Sequence, residues 1–263
     1  MMIVKIGGGE TLNLPAIAED LAGVTEPVVV VHGANALRDD LASRLGVEVE
    51  RVTALSGYTS VVTDEKMIEL MLMTYAGLRN KQIVAALQAH GVQAIGLTGI
   101  DGGLVRARRN RGFRAWRKGR KMMVRDLTGK PEQINHTLLR LLLDQGYLPV
   151  LTVPVLDESG QAVNTENDDL VALLQEELKA DRIVQLMEAP GLLANPPVAE
   201  SLLRRLTFPE LCDWEERVEG RIKRKLRALK QVMQTPGTIV HIGDGRINRP
   251  ISHLLQGGGT WIQ

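Results

Sequence analysis

Residues 3–10 read IVKIGGGE, and the fold follows from why a lysine and three glycines end this apolar run. Ile3, Val4 and Ile6 suit a short buried strand. A strand that only fills a core has no use for Lys5 beside Gly7, Gly8 and Gly9. Glycine serves where the backbone turns sharply or lets another group come close. A cation beside such a turn points to an anionic visitor, with phosphate the leading candidate.

Outward from that strand the pattern repeats. Apolar β-type runs at 3–6, 28–31, 94–97, 148–155, 182–186 and 238–242 alternate with helical stretches at about 14–21, 35–45, 64–90, 132–145, 167–178 and 219–234. Short buried runs between helices predict an α/β fold, a central, mostly parallel open sheet covered on both faces in a three-layer αβα sandwich. Thr63 is the expected N-cap of the long helix. Met67, Leu70, Met71 and Thr74 share one side of it, with Ile68, Leu72 and Tyr75 on a neighbouring stripe. An arc this wide suits the core or a dimer contact.

Composition narrows the class. At 44% hydrophobic and 24% charged residues the chain reads as soluble and globular, and at 3% aromatic its core is aliphatic. No apolar run approaches the roughly 18 residues of a membrane span, and the N-terminus enters a strand without a basic and apolar leader, so a cytoplasmic protein is expected. The single cysteine, Cys212, excludes an intrachain disulfide, and five scattered histidines offer no metal-ligating cluster. The net charge of +1 hides an asymmetry: residues 106–125 hold ten Arg or Lys and no acid, so the rest is net acidic. With Phe113 and Trp116 among these cations, the segment reads as a nucleic-acid contact, a dock for an acidic protein, or a solvated hairpin.

Four constellations carry the chemistry. The turns at Lys5–Gly9 and at His32-Gly33-Ala34-Asn35 follow two strands and sit side by side at the carboxyl edge of a parallel sheet, where ligands bind. In AVNTENDDLVALL, 162–174, Asn164, Glu166, Asp168 and Asp169 gather at a helix start. Acids there either offset the positive helix end or face the cleft and hold cations, lysine ammonium groups or Mg²⁺. In GRIKRKLRALK, 220–230, Arg221 and Lys225 share a helix face, and Gly220 permits close backbone approach.

Taken in this order, the constellations resemble the amino acid kinase family over almost the whole chain. Its opening Lys-x-Gly-Gly looks like Lys5-Ile6-Gly7-Gly8, and its His-Gly-Gly like His32-Gly33-Ala34. Its Asn-x-x-x-Asp looks like Asn164 and Asp168, and its late phosphate-binding lysine like Lys225. APGLL (189–193), DGR (244–246) and GGGTWI (257–262) look like its nucleotide-lobe signatures. The resemblance is strongest to the N-acetylglutamate kinase branch. Within that branch GRIKRKL, GLTGIDGGL (96–104) and GYLPVLTVPVL (146–156) resemble kinases that act on α-aminoadipate attached to an acidic amino-group carrier protein of lysine, and sometimes arginine, biosynthesis.

The resemblance implies an enzyme that phosphorylates a side-chain carboxylate with ATP and Mg²⁺. A carboxylate is already ionised near pH 7, so no general base is required. Lys5, Lys225 and Asp168 are the implied catalytic residues, with Asp168 organising the two lysines. Gly7, Gly8, Pro190, Gly191 and Lys225 are implied for the nucleotide, and Gly33, Ala34 and Asn164 for the acceptor. The amides of Gly7, Gly8, Gly33 and Ala34 are expected to face phosphoryl or acceptor oxygens. Residues 1–163 are expected to bind the amino acid and dimerise through the 64–90 helix, and 164–263 to bind ATP. Arg106, Arg108, Arg109, Arg111, Arg114 and Arg117 are docking candidates for an acidic carrier, and nucleic acid is not the expected partner. A kinase for free N-acetylglutamate and a non-catalytic regulatory homologue remain alternatives.

Three positions depart from the family pattern. Ala34 replaces a glycine and keeps its N–H donor if φ is negative. Val61 stands two residues before Thr63, where the resemblance places an arginine for the substrate carboxylate. Either Arg51 or the basic hairpin compensates, or the substrate differs. Met187 stands where a small hydroxyl residue is usual.

Overall fold

β1 (Met2–Ile6) divides its side chains between two cores, with Ile3 on one face and Met2, Val4 and Ile6 on the other. A strand buried on both sides must lie inside a sheet. The computed structural model describes residues 1–263 apart from 56, 58, 118 and 219, and apart from the side chains of 117, 220, 221 and 224. After β1 come α1 (Leu14–Ala22), β2 (Val28–His32) and α2 (Asn35–Arg44). Asn13 caps α1 by accepting from Ala16 N–H at 3.2 Å, and Pro15 suits its first turn.

An antiparallel pair, β3 (Arg51–Ala54) and β4 (Thr59–Val61), precedes the long helix. This consists of α3 (Glu65–Met71), a π-helical stretch (Leu72–Arg79) and α4 (Asn80–Ala89). Its N-cap is Asp64, not Thr63: the Asp64 carboxylate accepts from Met67 N–H at 2.9 Å. Thr63 is buried and turns toward Asn164. β5 (Ala94–Thr98), β6 (Val105–Arg109), β7 (Phe113–Arg117), β8 (Arg120–Val124) and β9 (Gly129–Ile134) follow. The helix expected from about 132 starts later, as α5 (His136–Asp144), because β9 pairs with β6 and Asn135 caps the helix on Leu138 N–H.

The apolar run at 148–155 belongs to two sheets, as β10 (Leu148–Thr152) and β11 (Val155–Asp157), parted at Pro154, which lacks a ladder N–H. β12 (Ala162–Val163), α6 (Asn167–Leu178), β13 (Arg182–Met187) and β14 (Arg205–Leu206) come next. The chain ends with α7 (Phe208–Arg217), α8 (Gly220–Val232), β15 (Ile239–Asp244), α9 (Pro250–Leu255) and β16 (Thr260–Ile262). A Thr207–Glu210 capping box starts α7.

The main sheet has the order β14-β16-β15-β13-β1-β2-β10-β5, parallel throughout except between β15 and β16. The mostly parallel, three-layer αβα expectation is met. α1, α4 and α9 contribute to the core on one face, and α2, α3, α5, α6, α7 and α8 to the core on the other. Strands from residues 1–163 form one half of the sheet and strands from 164–263 the other, meeting where β13 joins β1. α6 reaches back across that seam onto β1 and β2. Two smaller sheets, β12-β11-β6-β9 and β4-β3-β7-β8, complete the fold. Among the described residues no helix is long and apolar enough to cross a membrane.

The C-terminal end of α6 is fastened by buried Gln175. Its Nε2 donates to Ala180 O at 2.9 Å and Thr238 Oγ1 at 2.6 Å, and its Oε1 accepts from Ala180 N–H at 3.1 Å. Gln175→Met leaves the Ala180 amide and carbonyl buried without these partners. Stability is expected to fall by about 1–3 kcal/mol, read from the denaturant midpoint. An unchanged midpoint would show that the fastening contributes nothing net.

Candidate active site

Parallel pairing sets Ile6 level with His32 and Leu186, so the turns after β1, β2 and β13 emerge together at the carboxyl edge. Backbone bonds lock the first two turns. Gly7 N–H donates to Leu186 O at 2.9 Å, Gly33 N–H to Ile6 O at 3.0 Å, and Ala36 N–H to Gly8 O at 2.9 Å. The Gly7 and Gly33 amides therefore hold the turns together and do not face the cleft as expected. A Cβ on Gly8 would lie 2.7 Å from Asn35 N and 2.9 Å from Ala34 N, so only glycine allows this approach. Ala34 has φ −148, a conformation any L-residue adopts, and its backbone donor is kept.

Lys5, Asp168 and Lys225 come together from three elements. Lys5 shares with Ile3 the sheet face covered by α6, and its Nζ lies 2.5 Å from Asp168 Oδ1. The two side chains are 13% and 19% exposed, dry enough to strengthen the pair yet open to a ligand. Asp168 occupies the first turn of α6, where Glu166 at the N-cap makes no side-chain capping bond. Of the two readings of this acidic cluster, Asp168 follows the one in which an acid holds a lysine. Burial, and then the Lys5 charge, pull the Lys225 pKa down to about 8, with Asp168 opposing. Two ammonium groups around one carboxylate leave a net positive charge, which an anion would complete.

Asn167, just before Asp168, adds a second sign of an incomplete site. Its Nδ2 lies 3.6 Å from where a Gly33 Cβ would stand, and among the described residues its buried Oδ1 has no partner. A cation-rich trio, a glycine cradle and this orphaned polar atom fit the phosphates of ATP. Among the described residues no three His, Cys, Asp or Glu side chains converge to hold a metal ion.

His32 is structural and neutral. Burial, helped by the Arg79 and Lys81 charges, pushes its pKa to about 3. Its ring faces Gly33 O at 3.3 Å through Nδ1 and Asn80 Nδ2 at 3.2 Å through Nε2, fixing the turn that carries Ala34.

At the start of the acidic stretch, Asn164 Nδ2 donates to Thr63 Oγ1 at 3.3 Å. Thr63 N–H reaches Asp126 Oδ2 at 3.4 Å, and burial raises the Asp126 pKa. Val61 is the cross-strand partner of Arg51, so both side chains leave the sheet on the same face. The Arg51 guanidinium pairs with Asp39 at 2.6 Å. Of the two compensations expected for Val61, Arg51 is thus the neighbouring one.

Pro190 and Gly191 lie beyond β13. Gly191 has φ +157 and packs so tightly on β16 that a Cβ would sit 2.6 Å from Thr260 Oγ1. Met187 is half-buried against the core, and its carbonyl accepts from Gly245 N–H at 2.8 Å. The structure separates the six docking arginines. Arg108 pairs with Glu132 at 2.7 Å, Arg109 bonds Gln161 at 2.6 Å and Asp157 at 3.4 Å, and Arg106 reaches Asp157 O at 3.5 Å. Arg111 and Arg114 are exposed, and the Arg117 side chain, like that of Arg221, lies outside the described residues.

Sequence reasoning missed a brace over the first turn. Glu188 Oε1 accepts from Thr11 N–H at 2.8 Å and Thr11 Oγ1 at 2.7 Å, which hold its pKa down. Its carboxylate fills the space a Gly9 Cβ would need. Buried Arg79, closing the π-helical stretch, donates Nη2 to Gly9 O at 3.3 Å. The third glycine was the available signal. Tyr75, read only as part of an apolar stripe, donates its hydroxyl to Asn35 Oδ1 beside Ala34, and burial pushes its pKa up to about 12.

The chain belongs to the amino acid kinase family, which matches residues 1–244. It is 38% identical over 269 residues to the [LysW]-aminoadipate kinase of Thermus thermophilus, covering all of both chains. It is 33% identical over 265 residues to the acetylglutamate kinase of Methanopyrus kandleri, again covering all of both. An isopentenyl phosphate kinase structure superposes with a TM-score of 0.69 at 20% identity over the whole of both chains, a likeness of fold alone.

The depressed Lys225 pKa gives a pH prediction. With Lys225 as a phosphate ligand the protonated form is the competent one, so kcat/KM for ATP is expected to be flat below about pH 8 and to fall as pH rises through it. Lys225→Arg should remove that limb of the profile. A wild-type profile flat to about pH 10, the ordinary lysine range, would contradict a required Lys225 charge.

Proposed function

We propose that this kinase transfers the γ-phosphoryl group of ATP to the side-chain carboxylate of an N-blocked acidic amino acid, α-aminoadipate or glutamate linked to an acidic amino-group carrier protein. The observation that carries the reading is the Lys5–Asp168–Lys225 cluster, a net-positive centre beside the Gly8 turn. The names of the [LysW]-aminoadipate kinases among its relatives support the acceptor class.

The carboxylate oxygen attacks phosphorus, the bond to the bridging oxygen breaks, ADP leaves, and no proton must move. Catalysis then consists of bringing two anions together and stabilising the phosphoryl group between them. Lys5 meets the phosphoryl oxygens, with the Gly8 amide beside it. Lys225 neutralises charge growing toward the nucleotide, and Asp168 keeps both ammonium groups in place. Asn164, next to Thr63, orients the acceptor, and the Ala34 turn lines its side. ATP supplies the phosphoryl group with Mg²⁺, which its phosphate oxygens would largely hold.

The half of the sheet from 164–263 would take the nucleotide, with Pro190 and Gly191 near it, and 1–163 the acceptor. Exposed Leu72, Met73 and Leu78 on the long helix support a homodimer through that helix, in a cytoplasmic enzyme. A kinase for free N-acetylglutamate is the second reading, favoured by the Methanopyrus relative.

ATP turnover with hydroxylamine trapping tests the proposal, offering N-acetylglutamate and, separately, glutamate and α-aminoadipate on a LysW carrier. A hydroxamate is expected from a carrier-linked acid. Lys5→Met or Lys225→Met should each lower kcat by about 10²–10³-fold. A hydroxamate from N-acetylglutamate alone would favour the second reading, and unchanged turnover in both variants would remove the proposed mechanism.

A further inference from the structure

The two strands that meet at the seam each carry a polar residue inside an apolar run, Lys5 in MIVKI and Gln185 in RIVQLM. Parallel register makes Lys5 and Gln185 cross-strand partners, so both side chains leave the sheet on the same face. On that face Ile3, Ile183 and Ile242 enter the core, and Ile242 flanks Gln185 on its other side. Adjacent strands lie about 4.8 Å apart, which puts the Gln185 side chain beside the lysine stem in the floor of the site.

A carboxamide inside a sheet is costly unless its polar atoms are bonded. Buried Gln175 meets that requirement through Ala180 and Thr238. Gln185 does not meet it. The residue is 2% exposed, and among the described residues its buried Oε1 has no partner. Ile183 and Met187 along the strand and Ile242 across it carry no side-chain donor, so the donor beside it in the sheet is Lys5. A leucine would fill the same space without leaving an acceptor unpaired. An acceptor kept open next to a cation suits a bond that forms only with ligand.

The chemistry of the ammonium group supplies that bond. Lys5 has three N–H donors. One is directed to Asp168 Oδ1 at 2.5 Å. A phosphoryl oxygen takes a second. The helix that carries Asp168 lies over β1 and β2, whereas Gln185 stands on β13, so the two acceptors flank Lys5 from different sides.

We infer that Gln185 is a positioning residue for phosphoryl transfer: with phosphate in the site its Oε1 accepts the third Lys5 N–H, and Asp168 and Gln185 together aim the ammonium at the transferring group. The inference rests on the phosphoryl-transfer reading above and gives Gln185 no contact with either substrate.

The test is Gln185→Met, which keeps the side-chain length and removes the acceptor, made in the wild-type chain and in Lys5→Met. kcat/KM for ATP is expected to fall about tenfold in the first background and by less than about twofold in the second, where no ammonium remains to be aimed. The thermal midpoint of the ligand-free chain is expected to hold or rise, because an unpaired carboxamide has left the core. Equal losses in both backgrounds, no loss in the wild-type background, or a lowered midpoint overturn the inference, the last because the amide would then serve the fold. An undiminished kcat/KM in Gln185→Met leaves the proposed function standing without this role. If the wild-type chain phosphorylates no acceptor, the proposed function fails, and the rise in midpoint with AMP-PNP and Mg²⁺ decides the inference alone. That rise is expected to be smaller in Gln185→Met than in wild type and equal in the two chains that lack Lys5, and an undiminished rise overturns it.

Discussion

The contact on which the site depends is the bond between Lys5 Nζ and Asp168 Oδ1 across the seam of the sheet. Lys5 comes from a central strand and Asp168 from the helix that reaches back over it. A cation this enclosed needs a counter-charge. Asp168 supplies it, and its field also acts on Lys225, whose pKa burial and then the Lys5 charge hold down to about 8. The residual positive charge is thus a consequence of the fold and is relieved by an anion. The excess of ammonium over carboxylate at this contact makes it receptive to phosphate.

Around that contact the polar groups separate into those that build the turns and those left for ligands. Gly7 and Gly33 donate to neighbouring strands, His32 is neutral and wedged against Asn80, and Glu188 with Arg79 braces Gly9. These bonds need no ligand. Lys225 and Asn167 stand apart: burial and the Lys5 charge depress the Lys225 pKa, and among the described residues Asn167 Oδ1 has no partner. The surroundings of Asn164 are built from longer-range pairings, Thr63 with Asn164 and Asp126, so their shape depends on the placement of the small sheets.

Much of this was legible in residue order. The strand-then-glycine pattern at Lys5–Gly9 and the alternation of apolar runs with helices predict the parallel sheet, and the Asn164–Asp168 spacing points to the cluster. What stayed hidden depends on contacts between distant residues. Whether Asp168 caps α6 or meets Lys5 is a question of side-chain direction. Arg108 reads as a free cation until β9 brings Glu132 within 2.7 Å of it. The run at 148–155 looks continuous until Pro154 separates two sheets. Asp64 and Thr63 are both good caps by type, and the burial of Thr63 against Asn164 decides between them.

The central claim is that the acceptor carboxylate, not water, attacks phosphorus at the Lys5–Asp168–Lys225 centre. The direct measurement is the fate of ¹⁸O placed in the side-chain carboxylate of the carrier-linked acid during ATP turnover in hydroxylamine. Hydroxylamine attacks the acyl carbon and expels phosphate bearing the former carboxylate oxygen. The expected result is phosphate carrying one ¹⁸O in step with hydroxamate formation. Phosphate released without label would show that water was the nucleophile and would contradict the account.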